Sequence, residues 1–189
     1  MLITSELMAK ICAEYPLDPL GIHGLSHWAR VREFGLRLAA ATGADPVVVE
    51  LFSVFHDSQR RNENRDPQHG ARGALLAKRL HGEFYNATPS QLETLCRACA
   101  GHTKGKPEDE DDITILTCWD TDRLDLLRVG ITPDPKYLCT DAARDKDVIE
   151  WACTFSYKEN IDTFFSRPKM PSSAIQIHEY SDVSKKVEF

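Results

Sequence analysis

The segment that most restricts this chain is 46–57, PVVVELFSVFHD. Apolar residues fill nearly every position before the run closes on His56-Asp57. A stretch that is apolar on all sides must be covered on all sides. Its β-branched residues would also suit a strand. Asp45 as N-cap and Pro46 in the first turn, with the length of the run, predict instead a buried central helix. That helix brings an imidazole and a carboxylate side by side to the edge of a core.

The neighbouring segments supply helices to surround it. Residues 3–15 place Ile3, Leu7, Ile11 and Cys12 on one stripe, and YPLDPLGIHG then breaks the pattern. Ser26 is the expected cap of the next helix, LSHWARVREFGLRLAAATG. His27, Val31, Phe34 and Leu38 share its apolar face, and Gly43 stops it. SQRRNENRDPQHG, directly after His56-Asp57, reads as a site loop. ARGALLAKRLHG and PSQLETLCRACAGH follow as amphipathic helices, and TKGKPEDEDD reads as a solvated, disordered-looking turn. ITILTCWDTDRLDLLRVG is expected to be one helix closed by Gly130, and TPDPKYLCT a connector. A last helix or pair of helices occupies DAARDKDVIEWACTFSYKENIDTFF. No repeat appears, and no strand alternation before the tail. The expected fold is all-α: a single helical bundle over residues 1–166, with 167–189 as a C-terminal tail or packing arm.

A length of 189 residues suits one domain. No apolar run reaches the roughly 18 residues of a membrane span. The N-terminus, with Glu6 and Glu14, does not read as a secretion signal. Six cysteines without dense pairing fit reduced thiols and a cytoplasmic setting, with Cys12, Cys118 and Cys153 expected in or near the core. Cys96 and Cys99 form a lone CxxC inside a helix and read as packed thiols, not as a zinc knuckle. A net charge of −6 disfavours a nucleic-acid surface. It still admits a small anionic substrate where a metal and a few arginines reverse the field.

The chemistry lies in His27, in His56-Asp57 and in the aspartates of WDTDRLD. Two histidines and two carboxylates suit one divalent cation (Mn, Mg, Fe, Ni or Co), with positions left for a phosphate oxygen and a water of lowered pKa. On a helical projection Asp120 and Asp122 flank the apolar face and Asp125 points to solvent, so spacing leaves Asp120 and Asp122 both open as ligands. Arg60, Arg61 and Arg65 follow the His-Asp pair and are candidates to hold a phosphate. Glu63 is a candidate general base. His23, in a Gly-rich loop near His27, either borders the site or, as the favoured reading, is a surface residue; His81 reads as a helix end and His178 as part of the tail.

The ordered set of His27, His56-Asp57 and Asp122, with the strings HGLSHWARV and DTDRLDLLRVG, resembles the H…HD…D pattern of the HD superfamily of metal-dependent phosphohydrolases. The likeness spans residues 20–130. It implies a helical bundle with a central metal held by His27, His56, Asp57 and Asp122. The family's last Asp precedes a basic residue and Leu, which favours Asp122 and leaves Asp120 to orient a ligand histidine. Further histidines in the interval, here His69 and His102, would hold a second metal or the substrate phosphate. The implied activity is hydrolysis of a nucleotide or another small phosphate ester, with Asp57, Glu63 and Asp120 as catalytic groups and Arg60, Arg61, His69 and His102 at the substrate. The alternative is an HD-fold module that senses a ligand or binds a partner with little turnover.

Overall fold

Helix α3, Pro46–Phe55, is the element that the others cover: seven of its ten residues are buried. Asp45 accepts a hydrogen bond from the Val47 N–H at 2.8 Å and so caps it, with Pro46 in the first turn. Around it stand α1 (Ser5–Glu14), α2 (Leu25–Thr42), α4 (His69–Leu80), α5 (Pro89–Gly101) and α6 (Ile113–Leu124). α2, α4, α5 and α6 pack directly on α3, and α4 lies along α5. Two short helices, α7 (Asp141–Arg144) and α8 (Lys146–Phe155), close the far side of α2 and α6. This computed structural model describes residues 2–156, among which every regular element is helical. No helix there is long and apolar enough to cross a membrane. The tail 167–189 and His178 lie outside the described residues.

The caps follow the sequence closely. Thr4, Thr88, Asp112 and Asp145 each accept from a first-turn N–H, and Thr88 with Gln91 completes a reciprocal capping box. Gly43 ends α2 in the left-handed conformation, at φ 79°. α2 departs from expectation at its start. Its cap is Gly24, without a side-chain bond, and Ser26 lies inside the first turn. A tight turn is the reason: the Leu25 N–H reaches the Pro19 carbonyl at 2.8 Å, and a Cβ on Gly24 would come within 2.1 Å of that oxygen.

The acidic stretch is also more ordered than its composition suggests. Pro107–Asp109 forms a 3₁₀ turn, Glu110 pairs with Arg97 at 2.8 Å, and Asp112 caps α6. The helix expected to reach Gly130 ends at Leu124, and Leu126–Val129 continues as a 3₁₀ turn. Six free cysteines are present, with Cys99, Cys118 and Cys139 buried and Cys12, Cys96 and Cys153 half-buried. Burial pushes the Cys99 and Cys118 thiols well up, as suits packing groups.

Two glycines one helical turn apart seat α4 against its neighbours. A Cβ on Gly70 would meet the Cys99 carbonyl at 2.1 Å, and one on Gly73 the Phe55 carbonyl at 2.2 Å. The obstacles are backbone atoms at the ends of α5 and α3, which cannot swing away. Gly73→Ala should therefore lower stability by about 1–3 kcal/mol, read as a shifted urea midpoint with unchanged slope. A wild-type midpoint would show that α4 is not held this closely.

Candidate metal centre

Four helix ends converge below one cleft, and each carries a histidine. His27 lies in the first turn of α2, His56 caps the C-terminus of α3, His69 begins α4 and His102 caps the C-terminus of α5. His27 and His56 are fully buried, and His69 and His102 nearly so. In each ring Nδ1 is bound to an oxygen: His27 to Asp125 Oδ2 at 2.8 Å, His56 to the Phe52 carbonyl at 3.1 Å, His102 to the Cys99 carbonyl at 2.8 Å, and His69 to the Asp66 carbonyl. A carbonyl or an ionised carboxylate only accepts, so each Nδ1 carries the hydrogen and each Nε2 turns a lone pair inward.

Those lone pairs face each other. His27 Nε2 and His56 Nε2 are 3.0 Å apart, and His69 Nε2 and His102 Nε2 are 2.8 Å apart. Neither pair can form a hydrogen bond in these tautomers, and each would be satisfied by a shared cation. Ligand atoms about 2.1 Å from one ion and at right angles to each other stand about 3 Å apart, so the spacing fits.

Asp57, at the end of α3, lies between the two pairs and is 2% exposed. Its Oδ2 is 3.6 Å from His27 Nε2 and 3.7 Å from His56 Nε2. Its Oδ1 is 2.9 Å from His69 Nε2 and 3.6 Å from His102 Nε2. One carboxylate thus offers one oxygen to each pair. Two groups able to hold a metal follow, His27–His56–Asp57 and Asp57–His69–His102. Asp122 Oδ1 adds a carboxylate to the first, 3.3 Å from His27 Nε2 and 3.9 Å from His56 Nε2.

The electrostatics show a demand for positive charge at this spot. Burial opposes charge on Asp57, but rings of His56, His102 and His69 that carry a proton toward it outweigh burial and hold the carboxyl well below the ordinary range. Burial drives His56 down to about 3, so its ring stays neutral. His102 goes the other way: burial disfavours its charge, yet Asp57 and Asp122 raise its pKa. The carboxylates draw a positive charge to this spot, and a metal ion supplies one as a proton does.

Asp125 was expected to face solvent, and the structure reverses that. It is fully buried, accepts the His27 Nδ1–H, and receives two bonds from Arg30 at 2.7 and 2.9 Å. Burial opposes its charge, and His27 and Arg30 overcome this to lower its pKa. The end of α6 at Leu124 turns Asp125 inward, where a continuous helix would have turned it out. Asp120 has a different partner set from the one expected. It accepts the N–H groups of Cys139 and Thr140 at 2.6 and 2.8 Å and the Thr140 hydroxyl at 2.8 Å, and so pins the connector to α6.

His23 is likewise not a surface residue. It is buried, lines the cleft, and is hydrogen-bonded through Nδ1 to Glu63. Arg60 is buried at the cleft wall, with Nη1 3.4 Å from Asp57 Oδ1, Nη2 on the Asn64 carbonyl at 2.7 Å, and Nε without a protein partner. Arg61 and Arg65 are exposed and do not line the cleft, and Arg61 contributes a backbone N–H to Asp66. His81 caps α4, bonded to the Ala87 carbonyl at 2.9 Å. The loop between α3 and α4 is tied by Arg72, which donates to the Gln59 carbonyl at 2.9 and 3.0 Å and to Asp66.

Comparison with family models, with curated proteins and with solved structures found no match. The reading of this centre therefore rests on its own geometry.

Asp125→Asn provides a direct check on the orientation of His27. The amide keeps the shape but no longer demands Nδ1–H, so Nε2 loses its fixed lone pair. Affinity for Mn²⁺ or Zn²⁺, measured by calorimetry, should fall about 10–100-fold while the helical circular dichroism signal persists. Unchanged affinity would remove Asp125 from the centre.

Proposed function

We propose that this protein is a metal-dependent phosphohydrolase of the HD type, acting on a small phosphate ester. The observation that carries the reading is Asp57, whose two oxygens face two pairs of inward histidine lone pairs on the floor of a cleft of about 670 Å³. His27, His56, Asp57 and Asp122 would hold one divalent cation, and His69, His102 and Asp57 a second. A pair of bound cations supplies an activated water and neutralises a phosphate in line with it. The ordered His27, His56-Asp57 and Asp122 of the HD superfamily fall together in space, which supports the family reading.

The remaining roles belong to the chain's own side chains. Arg60, which lines the cleft with Nη1 beside Asp57, would bring positive charge to a phosphate there. His23 is fixed by Glu63 through Nδ1, which leaves Nε2 to move the leaving-group proton. Glu63 then acts through His23 and not on the water itself. Asp125 fixes the His27 ring, the role first expected of Asp120.

The test is hydrolysis of p-nitrophenyl phosphate and a panel of nucleotides by purified protein with added Mn²⁺, together with metal content by mass spectrometry. Asp57→Ala should lose bound metal and at least about a hundredfold in turnover. Chelation should abolish activity and spare the helices, because an extensive apolar core also holds them together. Full turnover in Asp57→Ala would end the proposal. Ester binding without turnover would favour a ligand-sensing module, and unfolding on chelation a structural metal.

A further inference from the structure

Three lysines at the mouth of the cleft have no part in the metal centre. Lys104 and Lys106 come from the turn after α5, Lys136 comes from the turn Pro135–Tyr137, and all three line the cleft. One side chain fastens both turns to α6, the helix that carries Asp122. Arg123 donates through Nη1 to the Tyr137 carbonyl at 2.9 Å and through Nη2 to the Gly105 carbonyl. Gly105 also lies flush on Trp119, where a Cβ would come within 2.3 Å of the indole. The backbone that carries the lysines is thus held in register with the metal-facing carboxylates.

Arg123 and Arg128, the arginines nearest these turns, are committed, whereas the lysines are held only by weak surface contacts. Arg123 is spent on the two turns, and Arg128 donates to the Ile22 and Asp125 carbonyls at 3.1 and 3.0 Å. Lys104 makes no ion pair among the described residues. Lys106 stands 3.8 Å from Glu108, which also lines the cleft, and Lys136 3.4 Å from Asp134 and 4.5 Å from the centre of the Tyr137 ring, both as exposed pairs. Such pairs contribute little and yield readily to a better anion. This grouping occurs in a chain of net charge −6. The cleft of about 670 Å³ is also of a size for a whole small-molecule ligand, well beyond a lone phosphate.

We propose that the substrate is a phosphate ester carrying a second anionic group, held by Lys104, Lys106 and Lys136 while the scissile phosphate lies over Asp57. This rests on the hydrolytic reading above and narrows its substrate class.

The experiment compares fructose 6-phosphate with fructose 1,6-bisphosphate as competitors of p-nitrophenyl phosphate hydrolysis, at matched free Mn²⁺. The bisphosphate should inhibit about tenfold more strongly, and the advantage should shrink as salt is raised. In the triple variant Lys104→Ala, Lys106→Ala, Lys136→Ala the two inhibitors should converge, with helical content checked by circular dichroism. Equal inhibition in the wild type, or an advantage that survives in the variant, would overturn the proposal. Absence of p-nitrophenyl phosphate turnover would count against the hydrolase reading instead. The same two esters would then be titrated into the Mn²⁺-loaded protein by calorimetry, and the ratio of their affinities decides the matter in the same way.

Discussion

A carboxylate as deeply buried as that of Asp57 persists only where positive charge or donors compensate its lost hydration. Here the surrounding groups are four imidazoles and, 3.4 Å from one oxygen, the Arg60 guanidinium, and the Nδ1 bonds of the imidazoles leave a lone pair on each inner nitrogen. Lone pairs do not compensate a carboxylate, whereas a cation held between lone pairs and carboxylate compensates both. The demand for positive charge at Asp57 therefore shapes the site, and the helices around it can be understood by how they meet that demand.

They meet it with their ends. The last turn of a helix leaves carbonyl oxygens without intrahelical partners. His102 uses one of these, the Cys99 carbonyl, and His56 bonds back to Phe52 within the last turn of α3. The same geometry that ends each helix thus fixes which ring nitrogen carries the proton. Gly70 and Gly73 then let α4 approach these ends closely enough for His69 to face His102. Packing and tautomer are one problem here: a bulkier residue at either glycine would part the rings whose lone pairs must converge.

Much of this was legible in the chain. His27, His56 and Asp57 stand out because they sit at the edges of apolar helices, and periodicity locates such edges, whereas Asp122 was separated from Asp120 only by the resemblance. His69 and His102 stand out through the resemblance and through the loops that carry them. Asp125 was not legible, because a uniform projection of 113–130 places it outside and only the change to a 3₁₀ turn after Leu124 brings it in. His23 was legible only as the less favoured of two readings, for a related reason. Its loop reads as polar and Gly-rich, and its burial depends on Glu63, forty positions further along. Asp120 has the composition of a site residue but serves the 139–140 backbone, a use that no local pattern announces. Caps and apolar stripes are local and were read correctly at Asp45 and Gly43, whereas groups joined across long separations were not.

The distribution of charge connects the centre to its mouth. The acids of the centre sit at the floor, where cations would neutralise them, while the lysines stand at the entrance on turns that Arg123 binds to α6. An anion entering the cleft would meet positive charge first at the lysines and then at the bound metal, despite the negative charge of the whole chain. With its floor charges unmatched, the same cleft would repel the phosphate at the point where it must react. Filling the centre is in this sense a condition for admitting the substrate as well as for activating water, so affinity for anions and metal content should rise together.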